Sequence, residues 1–323
     1  MPLSKALFLL TFIDQINRED QCYDLTAKMS FDKVPGGVRK FHDGHSIPLV
    51  GLGTYKITGK QIRTAVNAAL DAGYRMFDTA KYYKNEAEIG EAIEELLPKY
   101  ILTRKDIFIT TKMFPPAKDV EAEVKRLVDE SLANLRTTYI DLYLIHYPKP
   151  DDNDNDDPNN AVIRKETYLA LEKEKEAGRI RSVGVSNYES YHIDEIKSYG
   201  KPMPVANQVE YHPHFTRDQL KKYCDENKIF FQAFSSLARQ EPDLIEDPIV
   251  VEMAERHETS VNLILLAFAF CQGVGIVPKS THVGRIKENL KVVDLKLSDA
   301  EIESLRKLDK NHAYIRCRGW EVK

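Results

Sequence analysis

Strand-like and helix-like segments alternate eight times along this chain, and no other feature restricts its possible folds as much. The strand-like segments are short runs rich in β-branched and aromatic residues. The segments between them carry apolar residues at a spacing of three to four. Strict alternation favours parallel strands joined by crossover helices, and eight such units favour closure into a (β/α)8 barrel. The predicted strands are residues 51–55, 76–80, 107–113, 140–146, 182–187, 205–211, 230–236 and 275–280.

Two further patterns refine this fold class. The segments VRKF (38–41) and IPLV (47–50) flank a DGHS turn, which predicts a β-hairpin ahead of the barrel. An open, doubly wound sheet is the alternative, but no Gly-x-Gly-x-x-Gly motif of a Rossmann site follows the first strand. We therefore predict an α/β protein, a (β/α)8 barrel whose bottom is capped by the hairpin, forming a single domain over residues 31–323.

Charge and the lengths of the apolar runs exclude several classes of function. The 46 basic and 50 acidic residues nearly balance, and a net charge of −4 provides no field for nucleic acid or an anionic membrane. The longest apolar run, residues 263–271, is far shorter than the ~20 residues that cross a bilayer, and it predicts a buried helix. We expect a cytoplasmic monomer that binds neither nucleic acid nor membrane.

Metal binding is not expected either. The cysteines, Cys22, Cys224, Cys271 and Cys317, lie far apart, lack the spacings of metal sites and are predicted to be reduced thiols. The stretch DDNDNDDPNN (151–160) looks like a calcium loop, but, counted from Asp152, the sixth and twelfth positions are Asp157 and Ile163 instead of glycine and glutamate. We interpret this stretch as a solvated loop.

The first thirty residues form a different kind of segment. MPLSKALFLLTFI places one lysine before a short apolar stretch, which is the outline of a signal peptide, yet no small-x-small cleavage site follows. A targeting signal, a segment docked on the surface and a poorly ordered extension all agree with this pattern. We predict that residues 1–30 are an N-terminal extension outside the barrel, and poorly ordered.

Four polar residues stand at the predicted carboxyl ends of successive strands, where barrel enzymes build their active sites. Asp78 lies at the end of the second strand and Tyr83 in the loop after it, Lys112 lies at the end of the third strand, and His146 ends the fourth. Each also has a structural interpretation, as an ion pair, a rim aromatic or a core histidine. The combination at one rim favours catalysis, whereas Tyr82 is predicted only to pack.

The chemistry of these four groups indicates reduction of a carbonyl. A phenol has an unperturbed pKa of about 10, and a nearby cation, Lys112, is expected to favour its phenolate. Asp78 is expected to keep that lysine charged. Tyr83 can then donate a proton to a developing alkoxide while His146 polarises the same oxygen.

Longer motifs in the chain resemble those of the aldo-keto reductase family. The resemblance extends from about residue 38 to about residue 312. It implies that the family's catalytic tetrad falls on Asp78, Tyr83, Lys112 and His146, with Tyr83 as the proton donor. The motifs are GLGTYK, AGYRMFDTAKYYKNEAEIGEAI, ITTKMF, LYLIHYP, IRSVGVSNY, ANQVEYHP and VPKS followed by RIKEN.

The same resemblance implies a cofactor, an extended nicotinamide dinucleotide lying across the barrel mouth. Lys279, Ser280 and Arg285 match a pocket for the adenosine 2′-phosphate, so NADPH is expected rather than NADH. Phe234 replaces the tyrosine that usually stacks on the nicotinamide ring, and stacking survives this change. The other matched cofactor positions are Gly53, Thr54, Tyr55, Ser186, Asn187, Gln208, Ser235, Leu237, Glu288 and Asn289.

The predicted substrate is a small-molecule aldehyde or ketone. Tyr55, Phe114 and Tyr147 match aromatic positions that line an apolar pocket in the family. Histidine at position 146, where a branch that reduces C=C bonds has glutamate, favours carbonyl reduction. Two alternatives are a protein of the same fold that binds the cofactor without turnover, and a barrel glycosidase. A glycosidase requires two central carboxylates, and only Asp78 is placed centrally.

Overall fold

A computed structural model describes residues 34–323 as a hairpin followed by an eight-stranded barrel. The hairpin strands are β1 (Val38–Lys40) and β2 (Ser46–Pro48), which pair antiparallel. The prediction of a separate extension over residues 1–30 falls outside this part of the chain. The barrel strands are β3 (Leu52–Gly53), β4 (Met76–Asp78), β5 (Phe108–Met113), β6 (Ile140–Ile145), β7 (Ile180–Ser186), β8 (Ala206–Glu210), β9 (Phe230–Phe234) and β10 (Gly275–Ile276).

The eight strands are all parallel, lie in sequence order and close on themselves. The seam joins the first barrel strand to the last through bridges from Val50 to Ile276 and from Gly53 to Lys279. A Cβ atom at position 53 would lie 2.5 Å from the Val277 carbonyl oxygen, so a glycine is required for the two backbones to meet. The predicted (β/α)8 barrel is confirmed.

Helices follow the strands around the outside of the barrel. Their apolar faces pack on the sheet, because each crossover helix must bury one face against the strands that it connects. The helices are α1 (Lys60–Ala72), α2 (Glu86–Leu96), α3 (Val120–Asn134), α4 (Asn160–Glu176), α5 (Ser190–Lys197), α6 (Asp218–Glu226), α7 (Pro242–Ile245), α8 (Pro248–Arg256), α9 (Val261–Phe270), α10 (Val283–Leu290) and α11 (Asp299–Arg306).

Helix α9 contains most of the longest apolar run and is buried, as predicted. It begins at a serine cap, where the Ser260 hydroxyl accepts a hydrogen bond from the Leu263 amide at 3.4 Å. Residues 263–269 are all buried, since a helix that is apolar on every side has no face suited to water. No helix within residues 34–323 is long and apolar enough to span a membrane.

The acidic loop before α4 is organised around a lysine. The Lys149 ammonium donates hydrogen bonds to the carbonyl oxygens of Pro150 at 3.1 Å and Asp151 at 3.3 Å. Helix α4 begins at Asn160, so the last residue of the predicted loop is already helical. In the described chain Cys224, Cys271 and Cys317 are free thiols, as predicted.

The hairpin contacts the amino ends of the barrel strands and so caps the bottom, as predicted. Its turn residue Asp43 accepts a hydrogen bond from the Ser182 hydroxyl of β7 at 2.8 Å, and the Lys175 ammonium lies 3.6 Å away. The ring of Phe41 packs at 5.9 Å from that of Phe230, the first residue of β9. Polar and apolar contacts together fix the hairpin to the barrel.

Replacement of Asp43 by asparagine is expected to lower the free energy of unfolding by about 1–2 kcal/mol near neutral pH. Burial alone would raise the pKa of the Asp43 carboxyl. Hydrogen bonds from His45 and Ser182 outweigh this effect and hold the pKa well below its ordinary value of 3.8. A lowered folded-state pKa stabilises the protein above the unfolded pKa, and the stabilisation is lost as the pH falls through the folded pKa.

Urea unfolding of wild type and Asp43→Asn as a function of pH tests this. The stability difference should be full near neutral pH and shrink as the pH falls below about 4. A difference that is independent of pH would contradict the assignment of the effect to the carboxylate.

Candidate active site

The four side chains predicted to act together lie at the carboxyl-end mouth of the barrel. Asp78 is the last residue of β4, Lys112 lies on β5 and His146 directly follows β6. Tyr83 ends a short 3-10 helix, Lys81–Tyr83, just after β4. Because parallel strands end on the same side of a barrel, residues up to 68 positions apart in sequence are brought to one site.

Asp78 and Lys112 form a buried ion pair. The ammonium lies 2.7 Å from Asp78 Oδ1 and also donates to the Thr79 carbonyl oxygen at 2.9 Å. Lys112 is 0% exposed and Asp78 is 3% exposed, so water screens neither charge. Burial lowers the pKa of Lys112 from its ordinary value, and the Asp78 carboxylate offsets part of this effect. The predicted role of Asp78 in holding a charged lysine agrees with this geometry.

Gln208 completes the coordination of Asp78. Its side-chain NH2 group donates to Asp78 Oδ2 at 2.8 Å and to Gln232 Oε1 at 2.7 Å, and Gln208 is buried. The family resemblance assigned Gln208 to the cofactor carboxamide. The structure adds a second function, since both oxygens of Asp78 now have a donor and the carboxylate is fixed in orientation.

Tyr83 lies between the ion pair and the other rings of the mouth. The Lys112 ammonium is 5.1 Å from the centroid of its ring. The ring centroids of Tyr55 and His146 are 5.0 Å and 5.8 Å from that of Tyr83. One face of the phenol therefore meets a cation, and its edges meet an imidazole and a second phenol.

The pKa of Tyr83 is shifted in the direction opposite to the expected one. Burial, and next the negative charge of Asp78, raise the pKa of the phenol well above 10. Lys112 does not reverse this shift, because burial and the Asp78 carboxylate, 2.7 Å from the ammonium, act in the opposite direction. The phenol is thus fully protonated at neutral pH and is a proton donor in its resting state.

His146 is a neutral imidazole. Burial, and next the charge of Lys112, lower its pKa well below 6.5. Its ring lies 4.9 Å from that of Phe114, and Asn187 Nδ2 donates to its backbone carbonyl oxygen at 2.9 Å. Nδ1 of the ring is buried and finds no hydrogen-bond partner among the described residues. A neutral imidazole beside a protonated phenol can polarise an oxygen atom without adding a charge.

Aromatic side chains form the wall of the mouth above these groups. Phe114 packs at 6.4 Å from Tyr147, and both were predicted to line the substrate pocket together with Tyr55. Tyr82 belongs to the same wall, because its ring lies 5.6 Å from Phe114 and 6.3 Å from His146. Tyr82 packs, as predicted, but it does not point away from the site: it is 54% exposed at the mouth.

The residues matched to the cofactor carboxamide lie at the end of β7, beside the ion pair. The Ser186 hydroxyl donates to the Gln208 carbonyl oxygen at 2.7 Å. The Asn187 backbone adopts the left-handed conformation, with φ of 62°. The side-chain NH2 group of Asn187 also donates to Ser186 Oγ at 3.1 Å. The unusual backbone conformation turns the chain sharply at the mouth, as is common at functional sites.

Other cofactor positions lie at the ends of the neighbouring strands β3 and β9. The Thr54 hydroxyl donates to the Asp78 carbonyl oxygen at 2.8 Å, which links the first barrel strand to the second. Phe234 ends β9, and Ser235 follows it with φ of 53°. Leu237 comes next, and a tight turn over residues 238–240 leads to α7. All of these positions lie on the mouth side of the barrel.

A group of unpaired cations lies at the seam side of the mouth. Lys279 and Arg285 are exposed, and neither forms an ion pair with any residue of 34–323, whereas the nearby Lys287 pairs with Asp71 at 2.6 Å. Burial, and next the charge of Lys56, lower the pKa of Lys279. The Ser280 hydroxyl accepts from the His282 amide at 3.0 Å. Cations without carboxylates, beside a serine hydroxyl, fit a phosphate dianion.

The remaining matched positions, Glu288 and Asn289, lie on α10 behind these cations. Asn289 is buried, whereas Glu288 and Arg285 line an open cavity of about 810 Å³ between α10 and the start of α9. This cavity adjoins the proposed phosphate pocket and is separate from the aromatic wall. The structure thus offers two regions, an apolar one over Tyr83 and a cationic one at the seam.

The sequence also matches a family model, that of the aldo/keto reductase family, over residues 49–310. The chain belongs to the aldo-keto reductase family. This aldo-keto reductase is 36% identical to aldo-keto reductase family 1 member A1 of Bos taurus, a match that covers 85% of this chain and 90% of that protein. It is 34% identical to aldose reductase C of Dictyostelium discoideum, with 84% and 89% covered.

Solved structures agree with these relatives. The aldo-keto reductase of Bombyx mori in complex with NADP has a TM-score of 0.80 at 32% identity, covering 89% of this chain and 97% of that one. The aldose reductase of Schistosoma japonicum has a TM-score of 0.78 at 34% identity, covering 85% and 93%. Both matches extend over the whole barrel.

Sequence reasoning missed three features of this aldo-keto reductase site. Tyr82 was predicted to point elsewhere, but consecutive residues of a 3-10 helix are only one third of a turn apart, and its ring lies at the mouth beside that of His146. Gln232, in the middle of β9, carried no signal until its contact with Gln208 was known. Thr54 was assigned to the cofactor, and its bond to the backbone of β4 is visible only in the barrel.

Proposed function

We propose that this aldo-keto reductase reduces aldehydes and ketones to alcohols with NADPH, and that Tyr83 is the general acid. The observation that carries the proposal is the joint placement of a protonated phenol, a neutral imidazole and a paired lysine at one barrel mouth. The structural relative from Bombyx mori, solved with NADP, supports the choice of cofactor.

The residues of this chain divide the chemistry between them. NADPH, when bound, supplies the hydride that the carbonyl carbon gains. His146 polarises the carbonyl oxygen, and Tyr83 transfers its proton to that oxygen as negative charge develops. An alkoxide is a stronger base than a phenolate, so the transfer is downhill even from a phenol with a raised pKa. Water returns the proton to Tyr83 after the alcohol leaves.

Lys112 has its main effect on the state that follows proton transfer. The phenolate of Tyr83 is then an additional negative charge in a buried site that already contains Asp78. The ammonium, 5.1 Å from the ring centroid, is the nearby cation that stabilises this charge. Asp78 and Gln208 fix the ammonium in position, because both Asp78 oxygens are engaged.

The aromatic wall supports small or varied carbonyl substrates. Tyr55, Tyr82, Phe114 and Tyr147 surround the position above Tyr83 with aromatic ring surface, and three of the four also carry a hydroxyl. Absorbance assays of NADPH consumption against a panel of aliphatic, aromatic and cyclic carbonyls test the proposal. If the protein binds NADPH but reduces no carbonyl in the panel, the alternative of a protein that binds the cofactor without turnover replaces the proposal.

Replacement of Arg285 by alanine is expected to weaken NADPH binding about tenfold or more and to leave NADH binding nearly unchanged. The guanidinium has no carboxylate partner in the described chain and is matched to the 2′-phosphate, which NADH lacks. Fluorescence titration of both cofactors measures the two dissociation constants.

Lys287→Ala is the matched control for this prediction. It removes one positive charge from the same helix, but Lys287 is already paired with Asp71 at 2.6 Å. NADPH binding should change far less than in Arg285→Ala. Equal weakening of NADPH and NADH by Arg285→Ala would remove the phosphate pocket from the proposal.

A further inference from the structure

The C-terminal tail, residues 311–323, contacts the barrel at several points. The Tyr314 hydroxyl lies 2.7 Å from His214 Nδ1, and a buried carboxylate binds the backbone of two tail residues. Glu210, the last residue of β8, is 3% exposed. Its Oε1 accepts hydrogen bonds from the Tyr314 amide at 2.8 Å and from His212 Nε2 at 3.0 Å, and its Oε2 accepts from the Ile315 amide at 3.0 Å. Two backbone donors of the tail thus converge on one side chain.

Within residues 34–323, no lysine or arginine forms an ion pair with Glu210, and the one side chain at hydrogen-bond distance that could balance its charge is that of His212. A buried carboxylate without a cation requires hydrogen-bond donors in place of water. The tail supplies two of its three donors, so release of the tail would leave the carboxylate poorly solvated. The barrel therefore holds the tail strongly at this point.

Beyond this attachment the tail reaches residues of the mouth. Cys317 lies near Tyr83 and Tyr147. Gly319 then packs directly on the backbone of Asn187, where a Cβ atom would be only 1.8 Å from the Asn187 carbonyl oxygen. The tail is therefore a further wall of the space over Tyr83, next to Tyr147 of the aromatic wall.

The last residues are fixed a second time, away from Glu210. The Val322 side chain is buried, and the Val322 carbonyl oxygen accepts from the Tyr191 hydroxyl at 3.0 Å. His192 Nε2 lies 3.1 Å from the same oxygen. The segment between the two attachments, which includes Cys317, also contacts the barrel through the Trp320 ring, 5.4 Å from that of Phe215, so its position depends on all three contacts.

We propose that Glu210 is a positioning residue that sets the size of carbonyl accepted, by holding the tail over the mouth. The inference rests on the proposed carbonyl reduction. Glu210 does not touch Tyr83, Lys112 or His146 through any hydrogen bond, so it acts on substrate fit and not on proton transfer. A loosened tail should weaken the binding of small carbonyls, which use this wall, and admit larger ones.

Glu210→Gln is the first test, because a carboxamide keeps the size of the side chain. The glutamine side chain has only one acceptor oxygen. Its NH2 group, a donor, would therefore face one of the two backbone N–H donors of the tail. Ile315→Pro is the second variant, since it removes the amide donor to Oε2 and leaves the barrel strand unchanged. Glu301→Gln is the matched control: Glu301 also accepts from a backbone amide, that of Ser298 at 2.9 Å, and from His257 at 2.8 Å, but on α11.

Two readouts are measured on the full chain, and the first is independent of catalysis. Hydrogen exchange at the Tyr314 and Ile315 amides should become about tenfold faster in Glu210→Gln, and exchange at Tyr314 should do so in Ile315→Pro. Second, in both variants KM for propanal should rise about fivefold with kcat changed by less than about twofold. The ratio of kcat/KM for a bicyclic ketone to that for propanal should increase, and Glu301→Gln should leave both readouts at wild-type values.

Fast tail exchange combined with wild-type size selectivity in both variants would overturn the proposal, and so would exchange that stays slow. Failure of the wild-type protein to reduce any carbonyl would instead overturn the proposed function. In that case the exchange data still report whether Glu210 holds the tail.

Discussion

Tyr83→Phe is expected to lower kcat for aldehyde reduction by about 10²–10⁴-fold, the usual contribution of a general acid. The substitution removes one oxygen atom, and with it the proton that the alkoxide needs. The ring remains, with its contacts to Tyr55 and His146 at 5.0 Å and 5.8 Å, so the shape of the mouth is retained. NADPH affinity should stay close to that of the wild type in a fluorescence titration.

Tyr82→Phe is the control that the chain itself provides. Residue 82 has the same chemistry, is adjacent in sequence and lies in the same mouth, 6.3 Å from the ring of His146. It is 54% exposed, whereas Tyr83 is held over the Lys112 ammonium. Loss of its hydroxyl should change kcat by less than about threefold. Wild-type turnover in Tyr83→Phe, or equal losses in the two variants, would remove Tyr83 as the acid.

Lys112→Met is expected to have the second large effect, on stability and on turnover together. The methionine leaves Asp78 buried without its cation, which typically costs about 3–5 kcal/mol of unfolding free energy. Turnover should fall by about 10²-fold or more, since the phenolate of Tyr83 loses its stabilising charge. Urea unfolding and single-turnover kinetics measure the two quantities separately.

A second substitution separates these two effects. Asp78→Asn in the Lys112→Met background removes the unpaired charge, so most of the lost stability should return while turnover stays low. Lys125→Met is the control for an ordinary ion pair, because Lys125 pairs with Asp129 at 2.9 Å on the exposed surface. It should cost less than about 1 kcal/mol. Recovery of activity in the double variant would contradict the role of the ammonium.

Sequence patterns located the strands well and their carboxyl ends less well. The third strand was predicted at 107–113 and spans Phe108–Met113, whereas the first was predicted at 51–55 and spans only Leu52–Gly53. Thr54 and Tyr55 have strand-like side chains, yet they leave the ladder to form the mouth. Strand propensity describes the backbone conformation that a side chain favours, whereas the conformation of a site residue is set by its tertiary contacts.

The electrostatic state of the site could not be predicted from residue types. Placing Tyr83 near Lys112 suggested a lowered phenol pKa, but burial and the Asp78 carboxylate raise it. The direction of the pKa shift depends on the balance between the charges of Lys112 and Asp78 and on how far water is excluded from the phenol. These are set by distances and exposures in three dimensions, and the same holds for the neutral state of His146.

The amino-acid sequence by itself determined the barrel, the family and the identity of the four catalytic candidates. Eight alternating segments admit few other folds, and the candidates stand at strand ends, which every parallel barrel brings to one mouth. The tertiary structure alone decided the protonation of Tyr83, the place of Tyr82 in the wall and the attachment of the tail to Glu210. These depend on contacts between residues distant in sequence, and on burial, which no local pattern encodes.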